Sequence, residues 1–306
     1  MRIAFFGTPA FAVPSLDALL ELGETVTVVV TQPDRPKGRL REVAPPPVKL
    51  RALEAGIPVL QPERPTGDAF LATLGAAQPD LGVVVAYGHI LRPAVLALPP
   101  LGMINVHASL LPAWRGAAPI QWSIAQGDRE TGVTIMRMEA GLDSGPIILA
   151  RSTPIEPSDT GGTLTDRLAE LGARALRDVI LQFRAGPVTE VAQDHTRATH
   201  APKIGRGIAR VNWTLPATDV VNQIRAFDPV PGAWSVLGNT EVKLFGPSRV
   251  GFGGPPGTVL TVVPDLVVAA GDGGVRVETV QPAGKPRMAA ADWVRGRAVR
   301  RGDRFE

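Results

Sequence analysis

The stretch RIAFFGTPAFAVPSLDALLELGETVTVVV, Arg2–Val30, decides the fold. Arg2–Phe6 is a short apolar run closed by Gly7, as a buried first strand would be. Between Ala10 and Leu22 the residues Phe11, Val13, Leu16, Leu19 and Leu20 return at helical spacing and share one face. Thr25–Val30 is almost entirely β-branched, the texture of a strand covered on both sides. Strand, helix, strand predicts a parallel α/β sheet. The turn after the first strand holds one glycine rather than G-x-G-x-x-G, so no dinucleotide site is inferred.

The same alternation continues outward. Strands are predicted over Ile57–Leu60, Asp80–Ala86, Leu101–Val106, Thr131–Met138 and Ile147–Ile155, and helices over Lys49–Ala55 and Asp68–Ala77. Thr160–Phe183 is the longest helical pattern, with Leu164, Leu168, Leu171, Ala175, Leu176, Val179 and Leu181 on its apolar side. HTRATHAPKIGRG, His195–Gly207, is polar and reads as a boundary. Beyond it, short β-rich runs alternate with Gly/Pro turns: Trp234–Leu237, Glu241–Phe245, Gly257–Val263, Leu266–Ala270 and Val275–Val280. That spacing predicts a small barrel or sandwich. The expected organisation is an α/β domain over 1–194, a linker over 195–207 and a small β domain over 208–306.

Composition narrows the chemistry. A chain of 306 residues favours two domains over one large one, and a hydrophobic fraction of 44% suffices for a core. The absence of cysteine excludes disulfides, thiolate nucleophiles and Cys-ligated metals. The four histidines, His89, His107, His195 and His200, are scattered, and no metal is expected. The N-terminus lacks the apolar core of a signal peptide, and no apolar run approaches the about 18 residues of a membrane span. A soluble, cytoplasmic protein is expected. Residues 201–306 carry 14 Lys/Arg against 9 Asp/Glu, whereas residues 1–200 carry 18 against 20. The basic part either meets an anionic partner, with nucleic acid the leading candidate, or is merely well solvated. Likewise Thr31–Lys49 is long for an α/β connection and carries Arg35, Lys37, Arg39, Arg41 and Lys49. It is either a solvated loop or an arm for phosphates.

The candidate chemistry lies in LGMINVHASLLPAWRG, Leu101–Gly116. Asn105 and His107 stand two apart at the carboxyl end of a strand, hence on one face, where open α/β sheets bind ligands. Asp143 follows in the loop GLDSGP after the next predicted strand. An amide to donate to an oxyanion, an imidazole to polarise a carbonyl or carry a proton, and a carboxylate to relay one suit acyl-type transfer to an amine. The alternative is structural, with strand-end caps and a turn aspartate. Ser109 lacks the G-x-S-x-G elbow, so a hydrolase triad fits poorly.

At these residues the sequence closely resembles the methionyl-tRNA formyltransferase family, within the formyltransferases that use 10-formyltetrahydrofolate. The matching stretches include FFGTPAFAVPSL, VVTQPDRPKGR, VAYGHILRP, NVHASLLPAWRGAAPIQWSI, TGVTIMRMEAGLDSGPI, ATHAPKI, IRAFDPVPGAW and VQPAGKPRM. The resemblance implies that Asn105, His107 and Asp143 are the catalytic trio. It implies that Ser109, Leu110, Leu111 and Pro112 lie at the folate site, with His89, Ile90 and Leu91 walling the pterin pocket mainly through backbone. It implies a Rossmann-like domain followed by a barrel of the OB type, and no metal. Arg35, Lys37, Arg39 and Arg41 in the basic loop, and Lys203 in APKI, would contact initiator tRNA. Leu40 stands where the family pattern has glycine, and Glu42 interrupts a normally basic run. A monomer is expected. The other readings are the same chemistry on a small amine (glycinamide ribonucleotide or an amino sugar), hydrolysis of the formyl folate, and a non-catalytic RNA-binding module.

Overall fold

The computed structural model describes residues 1–37, 42–297 and 299–306. The chain forms two compact units: one of Met1–Pro119, Glu130–Pro154 and Thr165–Ala201, the other of Ile120–Arg129, Ile155–Leu164 and Pro202–Glu306. Residues 195–201 of the expected linker therefore fall in the first unit and 202–207 in the second.

The first unit is built on a seven-stranded sheet of β1 (Arg2–Gly7), β2 (Thr25–Val30), β3 (Val59–Leu60), β4 (Leu81–Val85), β5 (Met103–His107), β6 (Glu130–Arg137) and β7 (Ile147–Pro154). Their spatial order is β7-β6-β5-β4-β1-β2-β3. Pairs from β3 through β5 are parallel, and β6 and β7 are antiparallel additions. The parallel strands are buried on both faces, with Ile3, Phe5, Val29, Leu81 and Val83 fully inaccessible, which is why they read as unbroken apolar runs. The order reverses between β1 and β4, the kind of crevice in which such sheets take ligands. Thr8, just past β1, donates its hydroxyl to the Tyr87 carbonyl at 3.0 Å, and the Gln32 amide donates to the same oxygen at 3.0 Å. These bonds tie the carboxyl ends of β1, β2 and β4 together.

The helix Gly161–Ala185 buries Leu168, Leu176, Val179 and Ile180. Its Gly172 approaches β5 so closely that a Cβ would lie 2.9 Å from Val106 Cγ1. One expectation fails here. Leu181 is 44% exposed and Ile180 takes the buried place, because the step that keeps Leu176 on its own face is i+4, not i+5.

The second unit contains an antiparallel sheet of β8 (Trp234–Leu237), β9 (Thr240–Val250), β10 (Val259–Thr261), β11 (Leu266–Ala270), β12 (Gly273–Pro282) and β13 (Met288–Ala289). The order is β8-β9-β12-β11-β10, with β13 also paired to β12. Its two edges meet through the C-terminus: Phe305 bridges to Leu237 on β8, and Arg304 bridges to Thr258 just before β10. The two edge strands are thereby partly paired rather than left open. No helix among the described residues is long and apolar enough to cross a membrane.

Candidate active site

β5 carries the site. Its Ile104 and Val106 are buried toward the helix Gly161–Ala185, so Asn105 and His107 turn to the opposite face. Asn105 is registered against Val84 on β4 and Met136 on β6, and His107 against Thr134. The Asn105 side chain is partly exposed, and among the described residues it makes no hydrogen bond. A free amide is therefore presented beside His107.

The His107 side chain is only 6% exposed. Its Nε2 stands 2.9 Å from the Trp114 carbonyl oxygen. A carbonyl can only accept, so this nitrogen carries a proton. The other nitrogen, Nδ1, faces Asp143 Oδ2 at 3.7 Å. The same carboxylate oxygen accepts the Gly116 N–H at 2.9 Å. A lone pair on Nδ1 would confront an anion across that gap. The pair is complementary when a proton stands between the two atoms, on the imidazole itself or on a bridging N–H or O–H group. Trp114 and Asp143 are both held in the left-handed region, with φ of 60° and 48°. Non-glycine residues occupy it only where their surroundings impose it, and such strain concentrates at functional sites.

The loop after the next strand does bring Asp143 to His107, by a route set by strand direction. β6 runs antiparallel to β5, with Arg137 opposite Ile104 and Thr134 opposite His107. The 138–146 loop thus leaves β6 near the amino end of β5, about 10 Å of strand from His107. It then doubles back to bring the carboxylate to the imidazole, on the face of β5 that also carries Asn105.

Among the residues assigned to folate by resemblance, Ser109 is fully buried, and its hydroxyl donates to the Ala113 carbonyl at 2.6 Å. Thr134 braces the same turn: its hydroxyl donates to the Ser109 carbonyl at 2.7 Å and accepts the Leu111 N–H at 3.1 Å. Leu111 is buried, while Leu110 and Pro112 are partly exposed. In the other loop Leu91 packs into the core with Tyr87, whereas Ile90 is 83% exposed. The His89 Nε2 is buried with no hydrogen-bond partner among the described residues, and its ring lies 5.4 Å from that of Tyr87. Burial pushes the Tyr87 hydroxyl up to about 12.

The basic loop contains a short hairpin, Arg35–Lys37 against Glu42–Ala44. Arg35 pairs with Glu63 at 3.2 Å and stays largely exposed. Arg39 and Arg41 lie outside the described residues, as does Leu40. At the loop's base Asp34 takes hydrogen bonds from Gln61 and Lys49 at 2.7 Å each. These hold its carboxyl below its usual range, the Gln61 bond contributing most. Lys203, in the second unit, is exposed. Among the described residues no three His, Asp or Glu side chains converge where a metal ion could sit.

Sequence reasoning missed the backbone partners of the trio, the Trp114 carbonyl and the Gly116 N–H. The only hint was the glycine itself, whose φ is 124° and where a Cβ would lie 2.7 Å from the Ala201 carbonyl oxygen, leaving no room for a side chain. It also missed the parallel pairing of Arg115–Gly116 with His200–Ala201, which two residues on each side cannot announce.

Comparison with known proteins accords with this geometry. The family model for formyl transferase matches residues 1–180, and that for the formyl transferase C-terminal domain matches residues 203–298. A methionyl-tRNA formyltransferase of Aromatoleum aromaticum is 46% identical over 100% of this chain and 97% of its own length. One of Stutzerimonas stutzeri is 50% identical over 94% of this chain and 92% of its own. HypX of Aquifex aeolicus, solved in complex with tetrahydrofolic acid, is 19% identical and shares the fold, with a TM-score of 0.65 over 96% of this chain and 47% of that one. With identity at this level over the full chain, the protein belongs to the formyl transferase family, among the methionyl-tRNA formyltransferases.

Proposed function

We propose that the protein transfers the formyl group of 10-formyltetrahydrofolate to the α-amino group of methionine carried on initiator tRNA, giving formylmethionyl-tRNA for translation initiation. The observation that carries this reading is the convergence of His107 and Asp143 beside the free amide of Asn105. The full-length relatives supply the substrates.

The reaction forms a bond from the amine nitrogen to the formyl carbon and breaks the bond from that carbon to N10 of the folate. A proton leaves the amine and N10 gains one. Asn105 donates its amide N–H to the oxygen that becomes negative as the carbon turns tetrahedral, a role worth about 10²–10³ in rate. His107, anchored through Nε2 to Trp114, offers Nδ1 next to Asp143 as the place where the amine's proton is collected. In its protonated form His107 also supplies positive charge near that oxygen. Asp143 stabilises this form and keeps the ring oriented. Buried and internally bonded, Ser109 acts by shaping the turn, and Leu110, Leu111 and Pro112 border the folate with it. The backbone of the 87–91 loop walls the pterin, with His89, Ile90 and Leu91 at that wall. The unpartnered Nε2 of His89 and the exposed Ile90 leave groups there for a ligand to meet.

Residues 1–194 perform the chemistry in this reading, 195–207 connect, and the basic region 208–306 holds tRNA, with Arg35, Lys37, Arg39, Arg41 and Lys203 as further phosphate contacts. The protein works as a monomer in the cytoplasm. The test is single-turnover formyl transfer from 10-formyltetrahydrofolate to charged initiator tRNA, to free methionine and to glycinamide ribonucleotide. Rapid product on the charged tRNA alone is expected. Preference for the small amine would overturn the substrate and keep the chemistry.

A further inference from the structure

Asp143 holds a left-handed backbone conformation on a loop that has doubled back across the sheet, and something must keep it there. The first unit supplies a buried amide for the purpose. Gln193 is 6% exposed. Its Nε2 donates to the Asp143 carbonyl at 3.0 Å and to the Gly145 carbonyl at 2.7 Å. Its Oε1 accepts from Arg115, at 3.2 Å from Nε and 2.6 Å from Nη2. Both amide hydrogens and both lone pairs are therefore engaged. The amide cannot flip without facing donors with donors and acceptors with acceptors. Arg115, itself 7% exposed, also donates to His195 Nδ1 at 2.9 Å and pairs through its backbone with His200.

We propose that Gln193, oriented by the buried Arg115 guanidinium, is the positioning residue that holds the Asp143 loop in its reactive geometry. The proposal rests on the formyl-transfer reading and deepens it. The chain of contacts is short. Arg115 sets the amide, the amide grips the carbonyls on either side of Ser144, and the Asp143 carboxylate then meets the Gly116 N–H and His107. Arg115 and Gly116 are adjacent, so the grip on the loop backbone and the bond to its carboxylate spring from one short strand. Only an amide serves. A carboxylate at position 193 would still satisfy Arg115 but would turn lone pairs on the two carbonyls. An aliphatic side chain would strand the guanidinium as well.

Gln193→Glu is therefore the informative variant, because it preserves the partner of the buried cation and releases only the loop. For formyl transfer to charged initiator tRNA, kcat is expected to fall about 10²-fold, the scale of a catalytic group displaced by an ångström. KM for both substrates should stay within about threefold, since binding contacts are untouched. In an Asp143→Asn background the same change should cost less than about threefold more, because Gln193 acts through Asp143. A second measurement needs no substrate: amide hydrogen exchange in the peptide spanning 141–146 should speed up at least about tenfold while exchange elsewhere in the sheet is unchanged.

A Gln193→Glu enzyme with kcat within threefold of the parent would overturn the proposal. So would a loss that multiplies in full with that of Asp143→Asn, or a loop whose exchange does not change. A parent protein that formylates no charged tRNA would overturn the functional reading instead, and the exchange result would still decide whether Gln193 holds the loop.

Discussion

Asp143→Asn separates the charge of the carboxylate from its structural duty. One oxygen, Oδ2, both accepts the Gly116 N–H at 2.9 Å and faces His107 Nδ1 at 3.7 Å. Asparagine can place its carbonyl oxygen at that position and keep the backbone bond, so the loop should stay folded with stability within about 1 kcal/mol of the parent. The negative charge is lost. The carboxylate lies 3.7 Å from the imidazole, close enough to serve it in proton transfer. General acid–base assistance is typically worth about 10²–10⁴ in rate, so turnover should fall by about 10³. The assay is single-turnover formylation of charged initiator tRNA at saturating 10-formyltetrahydrofolate, with urea denaturation run alongside. Asp143→Ala is a poorer probe because it also leaves the Gly116 N–H unpaired, adding about 1–3 kcal/mol of destabilisation. Turnover by Asp143→Asn within tenfold of the parent, with unchanged stability, would refute the assignment of His107–Asp143 as the proton-collecting pair.

Four more outcomes are expected. Gly116→Ala should lower the urea midpoint by the equivalent of at least about 2 kcal/mol, because φ is 124° and the new Cβ would press on the Ala201 carbonyl; a midpoint unchanged from the parent would contradict this. Tyr87 is the chain's one tyrosine, so tyrosinate absorbance reports it alone. It should ionise near 12 in the folded protein and near 10 when unfolded, and the stability this represents, roughly 2–3 kcal/mol, is present below pH 10 and lost as pH rises through 12. Tyr87→Phe should abolish that alkaline loss at little cost near neutrality, since the buried hydroxyl has no hydrogen-bond partner among the described residues. Finally, the logarithm of the affinity for initiator tRNA should fall linearly with the logarithm of salt concentration, and a flat dependence would exclude phosphate contacts as the main source of binding.

The sequence by itself determined the repeating strands of the first unit, because a strand covered on both faces must be apolar throughout and betrays itself as a run. It also placed Asn105 and His107 on one face, since strand period is a local property. The β-rich texture of the second unit was legible for the same reason, and Trp234–Leu237 and Leu266–Ala270 matched to the residue. Tertiary structure decided the rest. That β6 runs antiparallel, so that Asp143 must double back to reach His107, depends on how strands neighbour one another, which no window of sequence contains. The pairing of Arg115–Gly116 with His200–Ala201 joins segments more than eighty residues apart, and each is too short to carry a periodic signal. Gln193, one polar residue in an unpatterned stretch, acquires its role only when Arg115 and the Asp143 loop close around its amide. Periodicity records which face of an element is buried; it does not record which distant backbone atom will stand opposite a given side chain.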